Sequence, residues 1–246
     1  EFRLTPWYND PVCDSTGEAY YIRDEETRRF WSPMPGPARG RTPYVARHGL
    51  GYSVFEHTED DLSTETHVYV SATDPLKFVS LAVRNTGGRR RRIRLYGFCE
   101  WVLGDLRERY ALHVVSRLDP QTGALLAENA INSDFPGRVA FFQCSRPDRR
   151  LTTDRIEFLG RNGTTAAPAS LRRDALSNRV VNGRDACAAF ETEVELPPGG
   201  TGKVVFVLGA AADEAAVRTL LRTASSPEGA RAALEAVWEF WNRTLG

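Results

Sequence analysis

Carboxylates, histidines and a group of arginines are the residues of this chain whose types could do chemistry, and their spacing limits which chemistry is open. Hydrolysing a glycosidic bond takes two carboxyl groups on opposite sides of it, one of them protonated. Asp60-Asp61 and Asp24-Glu25-Glu26 are the densest acidic stretches. Adjacent acids in a loop face water together, whereas flanking a bond takes placement from separate elements, so both read as solvated loops. Glu100 differs because it sits beside Trp101 in an apolar run. Its parity opposes the apolar face, which makes it solvent-facing or the partner of an arginine on the next strand. His48, His57, His67 and His113 show no ligand spacing, and Cys13, Cys99, Cys144 and Cys187 lie far apart with no C-x-x-C pair. No metal and no cofactor are expected, and the four thiols are expected to be free. Nucleophile-elbow, P-loop and His-Glu-x-x-His patterns do not occur.

A binding role has more to work with. The stretch 104–113 is polar and loop-like, and it carries Arg107, Arg109, Tyr110 and His113, donors for sugar hydroxyls or phosphate. Arg47 and His48, just before the turn glycines Gly49 and Gly51, join them if both loops lie at one end of the fold. The plain alternative is an ordinary charged loop. Sugar C–H faces pack on aromatic rings. Trp7, Tyr8, Tyr20, Tyr21, Trp31, Tyr44 and Tyr52 concentrate in the first part of the chain, although each taken singly reads first as a core residue.

Composition excludes several classes. The 246 residues carry Lys+Arg 32 against Asp+Glu 32, so no general electrostatic case exists for nucleic acid or an anionic membrane. The one dense basic run, Arg89-Arg90-Arg91-Arg92, follows the turn signal Asn85-Thr86-Gly87-Gly88 and reads as a solvated hairpin shoulder, with a polyanion site as its alternative. No apolar run is long enough to span a bilayer. The chain opens at Glu1 with no initiator Met or leader pattern, which reads as an excised, soluble piece of a longer protein.

The elements that must position these residues are mostly strands. Val79, Leu81 and Val83 alternate onto one face, as do Ile93, Leu95, Cys99, Trp101 and Leu103. The two runs flank Asn-Thr-Gly-Gly and are expected to form an antiparallel hairpin. Further strands are expected at 51–56, 65–71, 112–117, 139–143, 155–159, 188–196 and 203–208. Many short strands with Gly and Pro punctuation indicate a mainly β, antiparallel sandwich. The carboxyl end turns helical. Asp213 suits a helix cap, and Ser226-Pro227 opens a second helix on which Ala230, Leu234, Val237, Trp238, Trp241 and Leu245 recur at helical spacing.

Several blocks carry a family resemblance: Arg3-Leu4-Thr5-Pro6-Trp7-Tyr8-Asn9-Asp10-Pro11-Val12, Gly17-Glu18-Ala19-Tyr20-Tyr21-Ile22-Arg23-Asp24-Glu25-Glu26-Thr27, Trp31-Ser32-Pro33, Pro43-Tyr44-Val45-Ala46-Arg47-His48-Gly49-Leu50-Gly51-Tyr52, Val54-Phe55-Glu56-His57, Glu100-Trp101-Val102-Leu103-Gly104 and Glu157-Phe158-Leu159-Gly160-Arg161-Asn162-Gly163. The chain resembles the amino-terminal region of the cellobiose and chitobiose phosphorylase family, once glycosyltransferase family 36, as it occurs in cyclic β-1,2-glucan synthases. The resemblance implies a large antiparallel super-sandwich of the galactose mutarotase-like kind over residues 1–210. Residues 211–246 would be a helical linker toward an (α/α)6 catalytic barrel, whose acid motif no residue here matches. It further implies a non-catalytic domain that shapes the barrel entrance, binds β-glucan oligosaccharide weakly and supports a homodimer. The parent would be a membrane protein at the cytoplasmic face of a bacterial inner membrane, with no direct membrane insertion by this piece. Two other readings stay open: an autonomous sugar-acting enzyme, such as a mutarotase-like epimerase or a glycosidase, and a scaffold without sugar affinity.

Overall fold

The computed structural model describes residues 3–7, 12 and 16–245. Its described strands form two antiparallel sheets. The smaller has the order β11-β12-β7-β1-β2, built from β1 (Glu18–Asp24), β2 (Phe30–Trp31), β7 (Arg91–Glu100), β11 (Arg149–Asp154) and β12 (Ala186–Leu196). The larger has the order β3-β4-β5-β6-β13-β10-β9-β8. Its members are β3 (Tyr44–Gly49), β4 (Tyr52–Glu59), β5 (Leu62–Val70), β6 (Leu76–Asn85), β8 (Val114–Leu118), β9 (Leu125–Asn129), β10 (Val139–Cys144) and β13 (Thr201–Ala211). The alternating residues meet between the sheets as expected: Val79, Leu81 and Val83 of β6 share one core with Ile93, Leu95 and Cys99 of β7 and with the adjoining Trp101 and Leu103. Burial of such side chains, at about 25 cal/mol per Å² of apolar surface, is the main force holding the layers.

The expected hairpin between the first two runs does not form. β6 pairs with β5 and β13, while β7 pairs with β1 and β12 in the other sheet. Alternation specifies which face is buried, and two strands facing one core from opposite sides alternate just as hairpin partners do. The turn at 86–90 is therefore an arch between sheets. Loop 197–200 is a second arch, and Asn85 fastens the two. Its Nδ2 donates to the carbonyls of Arg89, Leu196 and Pro197 at 2.7, 3.0 and 3.2 Å, and its Oδ1 accepts from Gly87 N at 3.1 Å. The arginine run beside it is not a free shoulder. Arg89 meets Glu26 at 2.7 Å, Arg90 meets Glu195 at 3.1 Å and Arg92 lies 3.7 Å from Glu193. Arg91 is buried against Asp24.

A second correction concerns 155–159, which is the helix α2 (Arg155–Leu159) and not a strand. Asp154 caps it, accepting from the amides of Ile156 and Glu157, and the adjacent residues Phe158 and Leu159 are both buried, a pattern that strand alternation does not produce. This helix and the 3-10 turn Ala169–Arg172 cover the outer face of the smaller sheet. The outer face of the larger sheet is covered by α3 (Glu214–Ala224) and α4 (Pro227–Leu245). Asp213 caps α3 through Ala216 N at 2.8 Å. α4 buries Ala230, Leu234 and Val237 but leaves Trp238 39%, Phe240 37% and Leu245 63% exposed. No described helix is long and apolar enough to cross a membrane. Cys99, Cys144 and Cys187 are free and buried, and Cys13 lies outside the described residues.

Candidate functional site

The stretch after β7 carries the expected rim, and its side chains divide into two sets. Residues Arg107–Tyr110 form a single helical turn, α1. Arg107 points inward: its Nε lies 2.6 Å from Glu100 Oε1, and its Nη2 pairs with Asp185. Arg155, the first residue of α2, also pairs with Glu100 and reaches Asp185 at 3.6 Å. Glu100, the last residue of β7, thus has arginine partners, but they come from helices and not from the next strand. Tyr110 lies against Gly104, where an added Cβ would meet the ring at 2.3 Å. Arg107 and Tyr110 therefore position the turn. Arg109 and His113 are exposed, with Arg109 3.2 Å from Asp105 and 6.0 Å above the Tyr110 ring.

Arg47 and His48 do not join them. They sit on β3, one edge of the eight-stranded sheet, whereas α1 leads into β8, the opposite edge. Seven inter-strand steps separate these edges, about 30 Å along the sheet. Arg47 pairs with Glu56 at 2.7 Å, and His48 Nδ1 lies 2.8 Å from Ser53 Oγ. The β3–β4 hairpin that carries them rests on α4. Gly51 takes φ +79°, and a Cβ there would meet Trp241 Nε1 at 2.4 Å, so glycine is needed on both counts.

A cleft that the sequence did not single out opens on the inner face of the larger sheet. It has a volume of about 450 Å³ and lies between residues 5–7 and the start of β1 on one side and β4, β5 and β6 on the other. The register places Ser53 and Phe55 of β4 on the same face as Val68 of β5 and Val79 of β6. Lys77 Nζ lies 2.9 Å from Glu18 Oε2, and Thr5 Oγ1 donates to Glu18 Oε1 at 3.3 Å. Burial first, and then the Glu18 carboxylate, push the Tyr20 phenol well up, so it stays protonated. Trp7 lines the cleft at 61% exposure. Of the early aromatic residues, Tyr20, Tyr21 and Trp31 are core, Tyr44 stacks on His57 at 3.8 Å, Tyr52 meets Trp238 at 5.7 Å, and Tyr8 lies outside the described residues. The aromatic concentration was a usable signal for Trp7. Nothing in the sequence pairs Glu18 with Lys77, because only the sheet stacking brings them together.

Two antiparallel sheets of unequal size, closed by helices on the larger one, define the super-sandwich class. The family model of the Glycosyl hydrolase 94 supersandwich domain matches residues 1–227, and the chain belongs to that family. It is 38% identical, over 100% of its length, to the cyclic beta-(1,2)-glucan synthase NdvB of Rhizobium meliloti (strain 1021), of which it covers 9%. It is 30% identical over 85% of its length to the solabiose phosphorylase of Paenibacillus borealis, of which it covers 28%. The chain thus spans less than a third of either relative. Among solved structures, a bacterial glucoamylase complexed with acarbose shares the fold with a TM-score of 0.55 at 6% identity, over 92% of this chain and 31% of that one.

Proposed function

We propose that this domain is a non-catalytic, carbohydrate-facing part of a larger enzyme acting on β-linked glucosides, the chemistry being supplied by a following barrel. The observation that carries the reading is that arginines pair with the buried carboxylates: Arg91 with Asp24, Arg23 with Glu25, Arg29 with Glu59, Arg107 and Arg155 with Glu100, Arg218 with Asp119, Arg184 with Asp154 and Arg94 with Glu191. Burial alone would raise Asp24, Glu59 and Asp119, yet hydrogen bonds bring each below its usual range: backbone amides and Arg91 for Asp24, Arg29 for Glu59, Arg218 and Thr122 for Asp119. A general acid has to hold its proton near neutral pH. Glu191 is pushed up by burial, but it is 3% exposed on the covered outer face of the smaller sheet.

In this reading 1–210 is the sandwich and 211–246 connects to the barrel, with the uncovered side of α4 meeting either the barrel or a second copy. The parent enzyme would work at the cytoplasmic face of the inner membrane. The rim, with Arg109 and His113, would touch β-glucan near the barrel entrance. Two measurements test this. The chain alone, given phosphate and β-1,2-gluco-oligosaccharides, is expected to release no glucose 1-phosphate, and steady release would overturn the non-catalytic role. In the complete enzyme, Arg109→Ala with His113→Ala is expected to raise KM for long glucans several-fold with kcat unchanged. Unaltered kinetics at every chain length would leave the rim as plain surface.

A further inference from the structure

We infer that the cleft between the amino-terminal segment and the inner face of β4–β6 binds a pyranose unit of a glucan, with Trp7 as the stacking ring and the Glu18–Lys77 pair as the hydroxyl partner. The choice of glucan as ligand rests on the carbohydrate reading above; the site itself rests on its own geometry, and the segment that walls it is joined to the base of the rim where Arg3 pairs with Gly104.

The cleft follows from sheet arithmetic. Eight strands face five, and the smaller sheet ends at β2, which is two residues long. The inner face of β4 and β5 therefore runs beyond its strand cover, leaving Ser53, Phe55 and Val68 half-buried. Inner-face residues elsewhere on the sheet, such as Val83, Phe142 and Val204, are fully buried. The volume of about 450 Å³ falls within the range usual for small-molecule sites.

Its lining suits a sugar more than an anion or a purely apolar ligand. Lys77 is neutralised by Glu18 at 2.9 Å, so among the described residues lining the cleft no cation is left unpaired for phosphate. The Lys77 ammonium, 35% exposed, instead offers donors to a hydroxyl, and the Glu18 carboxylate, 15% exposed with Oε2 buried, orients it and leaves Oε1 as the acceptor. Neighbouring hydroxyls of a pyranose each donate and accept, and hydrogen bonds to charged groups are the stronger kind. Thr5 and the protonated Tyr20 phenol hold Glu18 in place. The apolar half is supplied by Trp7, Phe55 and Met34. Arg3 sits over one face of the Trp7 ring at 5.2 Å and its guanidinium donates to the Trp7 carbonyl at 3.0 Å. That fixes the indole while it remains 61% exposed, with a second face for the C–H side of a sugar.

The test titrates the 246-residue chain with β-1,2-linked glucotetraose, and separately with cellotetraose and maltotetraose, following tryptophan emission. Trp31 and Trp101 are buried, and Trp238 and Trp241 lie on α4, so a cleft signal belongs to Trp7. Saturable emission change with at least one tetraose is expected, and the order among the three assigns the linkage. Trp7→Ala should abolish it, Trp238→Phe should keep it, and Glu18→Gln should weaken binding about tenfold. Trp7→Phe, which keeps a ring, should bind by isotope-edited NMR with an unchanged melting midpoint, which separates lost stacking from lost folding. No saturable change with any tetraose, or an equal change in Trp7→Ala, overturns the inference. Because the rim is read through Arg109 and His113 kinetics in the complete enzyme, failure there leaves this site standing, and failure here leaves the rim standing.

Discussion

Arg107 and Arg109 are two residues apart in one helical turn, yet they have opposite roles. Arg107 is drawn under the turn by Glu100 and Asp185, while Arg109 stays in solvent beside Asp105. Sequence alone ranked them together, since both are donors in a polar loop. The difference comes from Glu100, a strand residue that Arg155 also contacts from α2. Removing one partner of a buried charge group leaves the rest under-compensated. Arg107→Ala is therefore expected to lower unfolding free energy by about 2–3 kcal/mol in urea titration. Arg109→Ala should leave the urea midpoint where it is. Equal loss in both variants would mean the Glu100 cluster does not hold the turn.

At the scale of elements, Arg218 ties α3 to the β8–β9 turn through Asp119, beside a second pair between Glu214 of α3 and Arg117 of β8 at 2.8 Å. Arg218 contacts Asp119 Oδ1 through both Nε and Nη2, at 3.0 and 2.7 Å, while Thr122 donates to Oδ2. Burial alone would push the Asp119 carboxyl up, but these hydrogen bonds outweigh it and bring it to about 2. A carboxyl lowered on folding contributes stability above its unfolded value of 3.8, and the contribution disappears as pH falls through about 2. The melting temperature of Arg218→Ala should thus lie below that of the parent chain above pH 5. The gap should narrow as pH falls below 4 and close below about 2, where Asp119 is protonated in both. A gap that stays constant across this range would assign the loss to packing of α3 and not to the pair. The helices themselves were legible from the chain, because Asp213, Ser226 and Pro227 mark their starts and the apolar spacing marks their buried face. The short helix α2 was misread, although Asp154 before an apolar pair was a cap signal of the same kind.

At the scale of the whole molecule, the end of α4 presents an exposed apolar face. Trp238 and Phe240 are 39% and 37% exposed, Trp241 is half-buried against Gly51, and Leu245 is 63% exposed. Burying one such ring stabilises a contact by roughly 2–3 kcal/mol, enough for weak association when no other surface is offered. The isolated chain is expected to show concentration-dependent self-association in sedimentation velocity, reduced by Trp238→Ser with Phe240→Ser. A monomer at all concentrations with the aromatic pair intact would remove the case for a second copy on this face. By itself the sequence determined the family, the strand-rich class, the buried faces of β6 and β7, and both carboxyl-terminal helices. All of these depend on residues near one another along the chain, where side-chain period and caps act. Only the tertiary structure decided that 86–90 is an arch and not a hairpin, that Arg47 lies on the opposite sheet edge from α1, and that Glu18 meets Lys77. Those outcomes depend on which strands stack across the core, and a two-residue alternation looks the same from either side of it.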